Sequence, residues 1–281
     1  MRTAALPAHG TQPFGASILG PMPASPRYPS LTPTTAQLAL TLVAGRQRSF
    51  RKDAQEFVGR LSPPLRAEGH KPPLPLGGRV ILANHYRSPG FRAWWIALAL
   101  TAVLDEDIHW VMTAAWTYPD PLRSRLLTPL TRQFFRRLAR TYGFSLMPPM
   151  PPAPHEAAAR ASAVREVLRY VAGHPQPVIG LVPEGGDSPG GDLGPPPPGV
   201  GRFISLLASR GLELLPAGVF EDDGALCVHI GAPIAGSVVA EGAPEARDRQ
   251  SADRVMRAIA SCLPERLRGS YSRGGAVHAR P

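Results

Sequence analysis

Six short apolar runs punctuate the chain: Val80–Ala83, Ile108–Thr113, Gly143–Met147, Val178–Val182, Leu214–Phe220 and Ala225–Ile230. They are apolar nearly throughout rather than alternating, which is the pattern of strands buried on both faces. Between them the apolar period lengthens to three and four. Helices are predicted over residues 88–104, 122–141, 155–172, 199–209 and 253–267. The clearest, 155–172, puts Ala157, Ala161, Val164, Leu168 and Val171 on one face and stops at Gly173. In 122–141, Leu130, Phe134, Leu138 and Tyr142 recur every four residues, and Pro129 is expected to break the helix. Upstream, residues 34–66 predict a helix capped at Thr34 or Thr35, with Leu38, Leu42, Phe50, Phe57, Val58 and Leu61 as a loose apolar face.

Strands alternating with helices predict an α/β fold: a mostly parallel sheet of about six strands, covered by helices on both faces. The turn Glu221–Gly224 would close the last two strands as a hairpin. Three regions follow from this. Residues 1–33, rich in Pro, Gly, Ser and Ala, predict a disordered tail; 34–66 form an N-terminal helical extension; 77–270 form the α/β domain. The stretch PGGDLGPPPP, residues 189–198, also predicts an irregular loop.

Lys and Arg number 31 against 21 Asp and Glu, a formal net charge of +10. That balance favours polyanionic partners: nucleic acid, acidic phospholipid, or phosphate- and CoA-type ligands. Nucleic acid is not expected, because the arginines are scattered over several helices without zinc-ligand spacing or an aromatic RNA-binding motif. The two cysteines, Cys227 and Cys262, have no pairing spacing, which predicts a reducing, cytoplasmic setting without a disulfide frame. The longest apolar run, Ala93–Leu104, falls short of the ~20 residues a membrane span needs, so any membrane contact is expected to be peripheral, on the inner face. Two segments suit lipid headgroups: the 34–61 helix with Arg46, Arg48, Arg51 and Lys52, and the 122–141 helix with six arginines beside its aromatic stripe. The first is more often simply a helix packed on the domain, and the second is equally read as a solvated arginine face on a core helix.

The candidate chemistry sits where two apolar runs end. The first runs into Asn84-His85 and then Pro89-Gly90; the fourth runs into Pro183-Glu184-Gly185-Gly186. A histidine at a strand's end can exchange a proton near neutral pH, since its unperturbed pKa is about 6.5. Other acidic and histidine clusters carry less. Asp105, Glu106, Asp107 and His109 predict a helix-end loop, and Ser188 lacks nucleophile-elbow spacing.

These blocks, in this order, resemble the lysophospholipid (glycerolipid) acyltransferase family typified by bacterial 1-acyl-glycerol-3-phosphate acyltransferase. Gly199-Val200, Leu215–Val219 and Ile230–Ile234 resemble its later blocks, so that the likeness spans residues 79–234. The resemblance implies acyl transfer from acyl-CoA or acyl-carrier protein to a hydroxyl of a lysophospholipid-like acceptor, with no bound cofactor. It implies His85 as general base and Glu184, Gly185 and Gly186 as a substrate-binding block, with Asn84 beside them. Three positions depart from the family's pattern. Its Asp five residues after the histidine is Gly90, and no acidic residue lies between His85 and Asp105; its phosphate-binding Arg is Pro149; its Thr after Glu-Gly is Gly186. Arg87 or Arg92 would then supply the missing positive charge, and Glu184 or Asp187 would orient His85. The second reading is a catalytically inactive member that binds lipid or acyl groups at a membrane surface.

Overall fold

The computed structural model describes residues 25–29, 32–69, 71–118, 120–150, 152–186, 188, 190–234 and 243–272. Its centre is a seven-stranded sheet in the order β1-β7-β6-β2-β5-β3-β4. The strands are β1 (Arg66–Gly69), β2 (Arg79–Ala83), β3 (His109–Thr113), β4 (Ser145–Met147), β5 (Val178–Leu181), β6 (Glu213–Asp222) and β7 (Ala225–Ile230). Every neighbouring pair is parallel except β6 and β7, which form the expected antiparallel hairpin. All six apolar runs are strands. β2 and β5, in the middle of the sheet, are buried at every position.

Helices cover the sheet: α1 (Pro33–Ala44), α2 (Phe50–Val58), α3 (Trp94–Leu104), α4 (Pro121–Tyr142), α5 (Ala157–Gly173), α6 (Val200–Ala208) and α7 (Pro244–Ser261). Packing is closest between α2 and α3 and between α6 and α7. At the latter crossing Gly201 lies so near the Asp248 carbonyl that a Cβ would sit 2.0 Å from it. The core runs from Ile96 and Leu100 of α3 through Ile81, Leu82, Ile179 and Leu215 to Ile204, Leu207 and Met256.

Several boundaries differ from the sequence pattern, each for a local reason. The seventh strand, β1, is exposed at all four positions and pairs with β7 through its backbone, so no apolar pattern announces it. The single helix expected over 34–66 is two helices. Gly45, at φ 66°, ends α1 in the left-handed region, and Ser49 caps α2 by accepting a hydrogen bond from the Lys52 N–H. α4 runs unbroken through Pro129, capped by Asp120 at one end and by Gly143 at the other. In α5 the buried residues are Ala163, Val167 and Val171, while Ala157 and Ala161 are exposed, so the inward face is turned from the expected one. α7 begins at Pro244, because its polar first half is held by α6: Asp248 accepts hydrogen bonds from the Gly199 and Arg202 N–H groups.

Within the expected tail, residues 25–29 are held in place: the Arg27 N–H donates to the Ser62 carbonyl, and Tyr28 packs on Phe91 and Trp95. The remaining tail residues, 1–24, 30 and 31, lie outside the described residues. The proline-rich loop is likewise anchored. Leu193 is 2 % exposed, and its N–H donates to the Leu267 carbonyl.

Candidate active site

The order of the strands creates a crevice between β2 and β5. β2 leads through α3 to β3, two places along the sheet in one direction; β5 leads through α6 to β6, two places in the other. Where neighbouring parallel strands send their connections opposite ways, the loops at their carboxyl ends part and leave room for a ligand. Asn84 and His85 follow β2 there, and Pro183–Gly186 follows β5 one strand away.

Each member of the sequence-predicted set has a defined place. Asn84 is 3 % exposed, and its carboxamide is engaged twice with Val219 of β6. It donates from Nδ2 to the Val219 carbonyl at 2.9 Å and accepts from the Val219 N–H at 2.8 Å. The side chain thereby continues the β2–β6 ladder past Ala83, which makes Asn84 a positioning residue rather than a substrate contact. His85 is half-buried at the crevice, and its backbone N–H donates to Oε2 of Glu184 at 2.5 Å.

Glu184 therefore grips the His85 backbone. Its Oε1 accepts from the Gly194 N–H at 2.8 Å, so that one carboxylate ties the β2 end, the β5 end and the proline-rich loop together. Burial pushes the Glu184 carboxyl up to about 7, against the two N–H groups that favour its charged form. Asp187, the other residue expected to orient His85, lies outside the described residues.

Gly90, at the position of the family's Asp, is the third residue of a turn in which the Phe91 N–H donates to the Ser88 carbonyl. Pro89 precedes it and its φ is 86°, the geometry of a type II turn that favours glycine. Arg87 and Arg92 are both exposed on this segment, and the Arg87 carbonyl packs against Gly191 of the proline-rich loop. Gly185 also has a left-handed φ of 71°, and a Cβ there would stand 2.9 Å from Cγ of Met150; Gly186 has open space around it.

Beside Gly185 lies a cavity of about 210 Å³ at the carboxyl ends of β3, β4 and β5. Its walls are apolar, with Met112, Met147, Met150, Leu181, Phe203 and Ile204 among them, and Arg160 of α5 is its one charged lining residue among those described. Sequence reasoning missed Arg160. Its guanidinium donates to the Pro148 carbonyl at 3.3 Å and the Pro149 carbonyl at 3.1 Å, and pairs with Glu156 at 3.3 Å. A positive charge thus stands against Pro149, where the resemblance expects one, but it is contributed by another element. Spacing along the strand could not reveal it.

A second missed group flanks the crevice on the β6 side. Glu221 accepts from the Tyr28 hydroxyl at 2.5 Å and from the Ser88 hydroxyl at 2.6 Å. Tyr28 lies 193 positions away in the chain, so only folding brings the two together.

His109 is a residue of β3 rather than of a loop. It is buried, shares a 2.9 Å hydrogen bond with Ser145, stacks on Tyr170 at 3.8 Å, and is held down to about 4 by burial. Among the described residues, no group of three or more His, Cys, Asp or Glu side chains is placed to hold a metal ion. Among them too, no helix is long and apolar enough to cross a membrane. Compared with known proteins, the chain matches no protein-family model and no curated protein sequence.

Proposed function

We propose that the protein is an acyltransferase that moves a fatty acyl group from a thioester, acyl-CoA or acyl-carrier protein, to a hydroxyl of a lysophospholipid-like acceptor. The observation that supports this most is that Glu184, which accepts from the His85 N–H at the β2–β5 crevice, stands between Pro183 and Gly185, two residues that line the apolar cavity. His85 takes the proton from the acceptor hydroxyl as that oxygen attacks the thioester carbonyl carbon. The tetrahedral adduct then collapses, the C–S bond breaks, and the imidazolium returns the proton to the leaving thiolate. The apolar cavity holds the acyl chain, and Arg160 faces the phosphate end of a substrate.

The decisive experiment is thiol release from acyl-CoA with and without a panel of lysophospholipid and alcohol acceptors, wild type beside His85→Ala. Acceptor-dependent release should fall by about 10²–10⁴-fold in the variant, the contribution of a positioned base. Arg160→Ala should raise KM for phosphate-bearing acceptors about ten-fold or more, and leave acceptors without phosphate unaffected.

A second reading is a non-catalytic lipid- or acyl-binding protein on the same scaffold. What favours it is Gly90 in its left-handed turn, together with the commitment of the Glu184 carboxylate to backbone groups. Background release from both proteins, with acyl groups co-purifying in the cavity, would establish that reading.

A further inference from the structure

We propose that the outer face of α4, with α1 beside it, is the surface by which the protein docks on an anionic lipid bilayer. Leu122, Leu126, Leu130 and Phe134 step by four along α4 and are 67 %, 58 %, 66 % and 44 % exposed, while Phe135 and Ala139 face the core. A surface helix in water does not ordinarily keep so continuous an apolar row bare. The 22 residues of α4 also carry six arginines, 123, 125, 132, 136, 137 and 140, and no acidic residue. Some arginines elsewhere pair with carboxylates, as Arg48 does with Asp53 and Arg266 with Asp222. The six on α4 form no ion pair with any described residue.

The neighbouring element points the same way. α1 packs against α4, contains no charged residue, and leaves Leu40 and Val43 72 % and 77 % exposed. Leucine and phenylalanine rows flanked by guanidinium groups match the acyl-chain and phosphate layers of an interface, where each basic side chain strengthens attachment about five-fold.

This face also leads to the cavity. Trp116, 46 % exposed, sets its ring edge-on to Phe135 at 5.2 Å, and its backbone N–H donates to the Thr131 hydroxyl. The next residue, Thr117, donates to the carbonyl of Met150, which lines the cavity. Trp116 and Thr117 thus form a two-residue route from α4 to the rim of the cavity. The charge and the bare apolar row carry the docking inference by themselves; only this route rests on the acyl-transfer reading.

The test is co-sedimentation of the full chain with vesicles of phosphatidylcholine alone and of phosphatidylcholine mixed with phosphatidylglycerol, at low and high salt. The variants are Leu126→Ser with Leu130→Ser, and Arg132→Ala with Arg136→Ala, each checked for an unchanged melting temperature. Wild type should bind the anionic vesicles and lose binding as salt is added. The leucine pair should weaken binding ten-fold or more, and the arginine pair about 30-fold.

No binding to anionic vesicles, or equal binding by wild type and both variants, would overturn the proposal. So would a wild-type dimer that the leucine pair converts to monomer, since a second copy would then cover the face. Nucleic-acid binding lost with the arginine pair but kept with the leucine pair would overturn it too. Vesicle binding without thiol release would keep the docking face and remove the acyl-transfer reading.

Discussion

Asn84 and Glu184 were both recognisable from the sequence as polar residues at strand ends, yet each acts through the backbone. Asn84 supplies to Val219, which is fully buried, the donor and the acceptor that the β2 backbone no longer offers. Asn84→Ala leaves that N–H and carbonyl unpaired and should cost about 2–4 kcal/mol of stability by chemical denaturation, with any loss of activity following from the shifted His85. Glu184 brings a pH dependence. Its carboxyl is raised from the ordinary glutamate range to about 7, so the folded protein holds this proton more tightly than the unfolded chain does. The resulting stabilisation is full below the unfolded value and is lost as pH rises through about 7. Denaturation at about pH 5 and about pH 8 should show wild type less stable at the higher pH, by up to about 3 kcal/mol, with the difference reduced in Glu184→Gln.

Segments with strong apolar periodicity were legible, and those held by polar or backbone contacts were not. All six apolar runs became strands because short apolar stretches bounded by turn residues suit a sheet covered on both faces. β1 escaped notice because it buries no side chain and joins by backbone hydrogen bonds alone. The first half of α7 escaped because its buried residues include Asp248 and Ser251, polar groups that hydrogen-bond with α6. α4 shows the opposite error: a proline predicted a break, but the exposed side of a well-capped helix accommodates it. Pro129 still lacks an N–H for the Arg125 carbonyl. Pro129→Ala should therefore stabilise the protein by about 1–3 kcal/mol, read as a higher melting temperature.

The crevice belongs to the assembled molecule. It requires β2 and β5 to be neighbours although they are about a hundred positions apart, and it requires their connections to diverge. Its rim is completed by Tyr28, whose hydroxyl reaches Glu221 and whose ring covers Phe91 and Trp95. Tyr28→Ala should cost about 2–3 kcal/mol and shift tryptophan fluorescence to the red as Trp95 meets water. An unchanged spectrum would mean that the 25–29 segment does not shield that ring.

The sequence by itself determined the α/β class, the six apolar strands, the closing hairpin, and the two strand ends that carry His85 and Glu184. It could do so because apolar period and strand-end polarity are local properties, set by residues a few positions apart. Only the tertiary structure decided which strands are neighbours, and that Glu184 holds the His85 and Gly194 backbones. It also decided that Arg160 reaches Pro149 from α5, and that the leucine row of α4 stays exposed. Those outcomes depend on contacts between segments far apart in the chain, and burial of one face against another is settled only when the whole sheet closes.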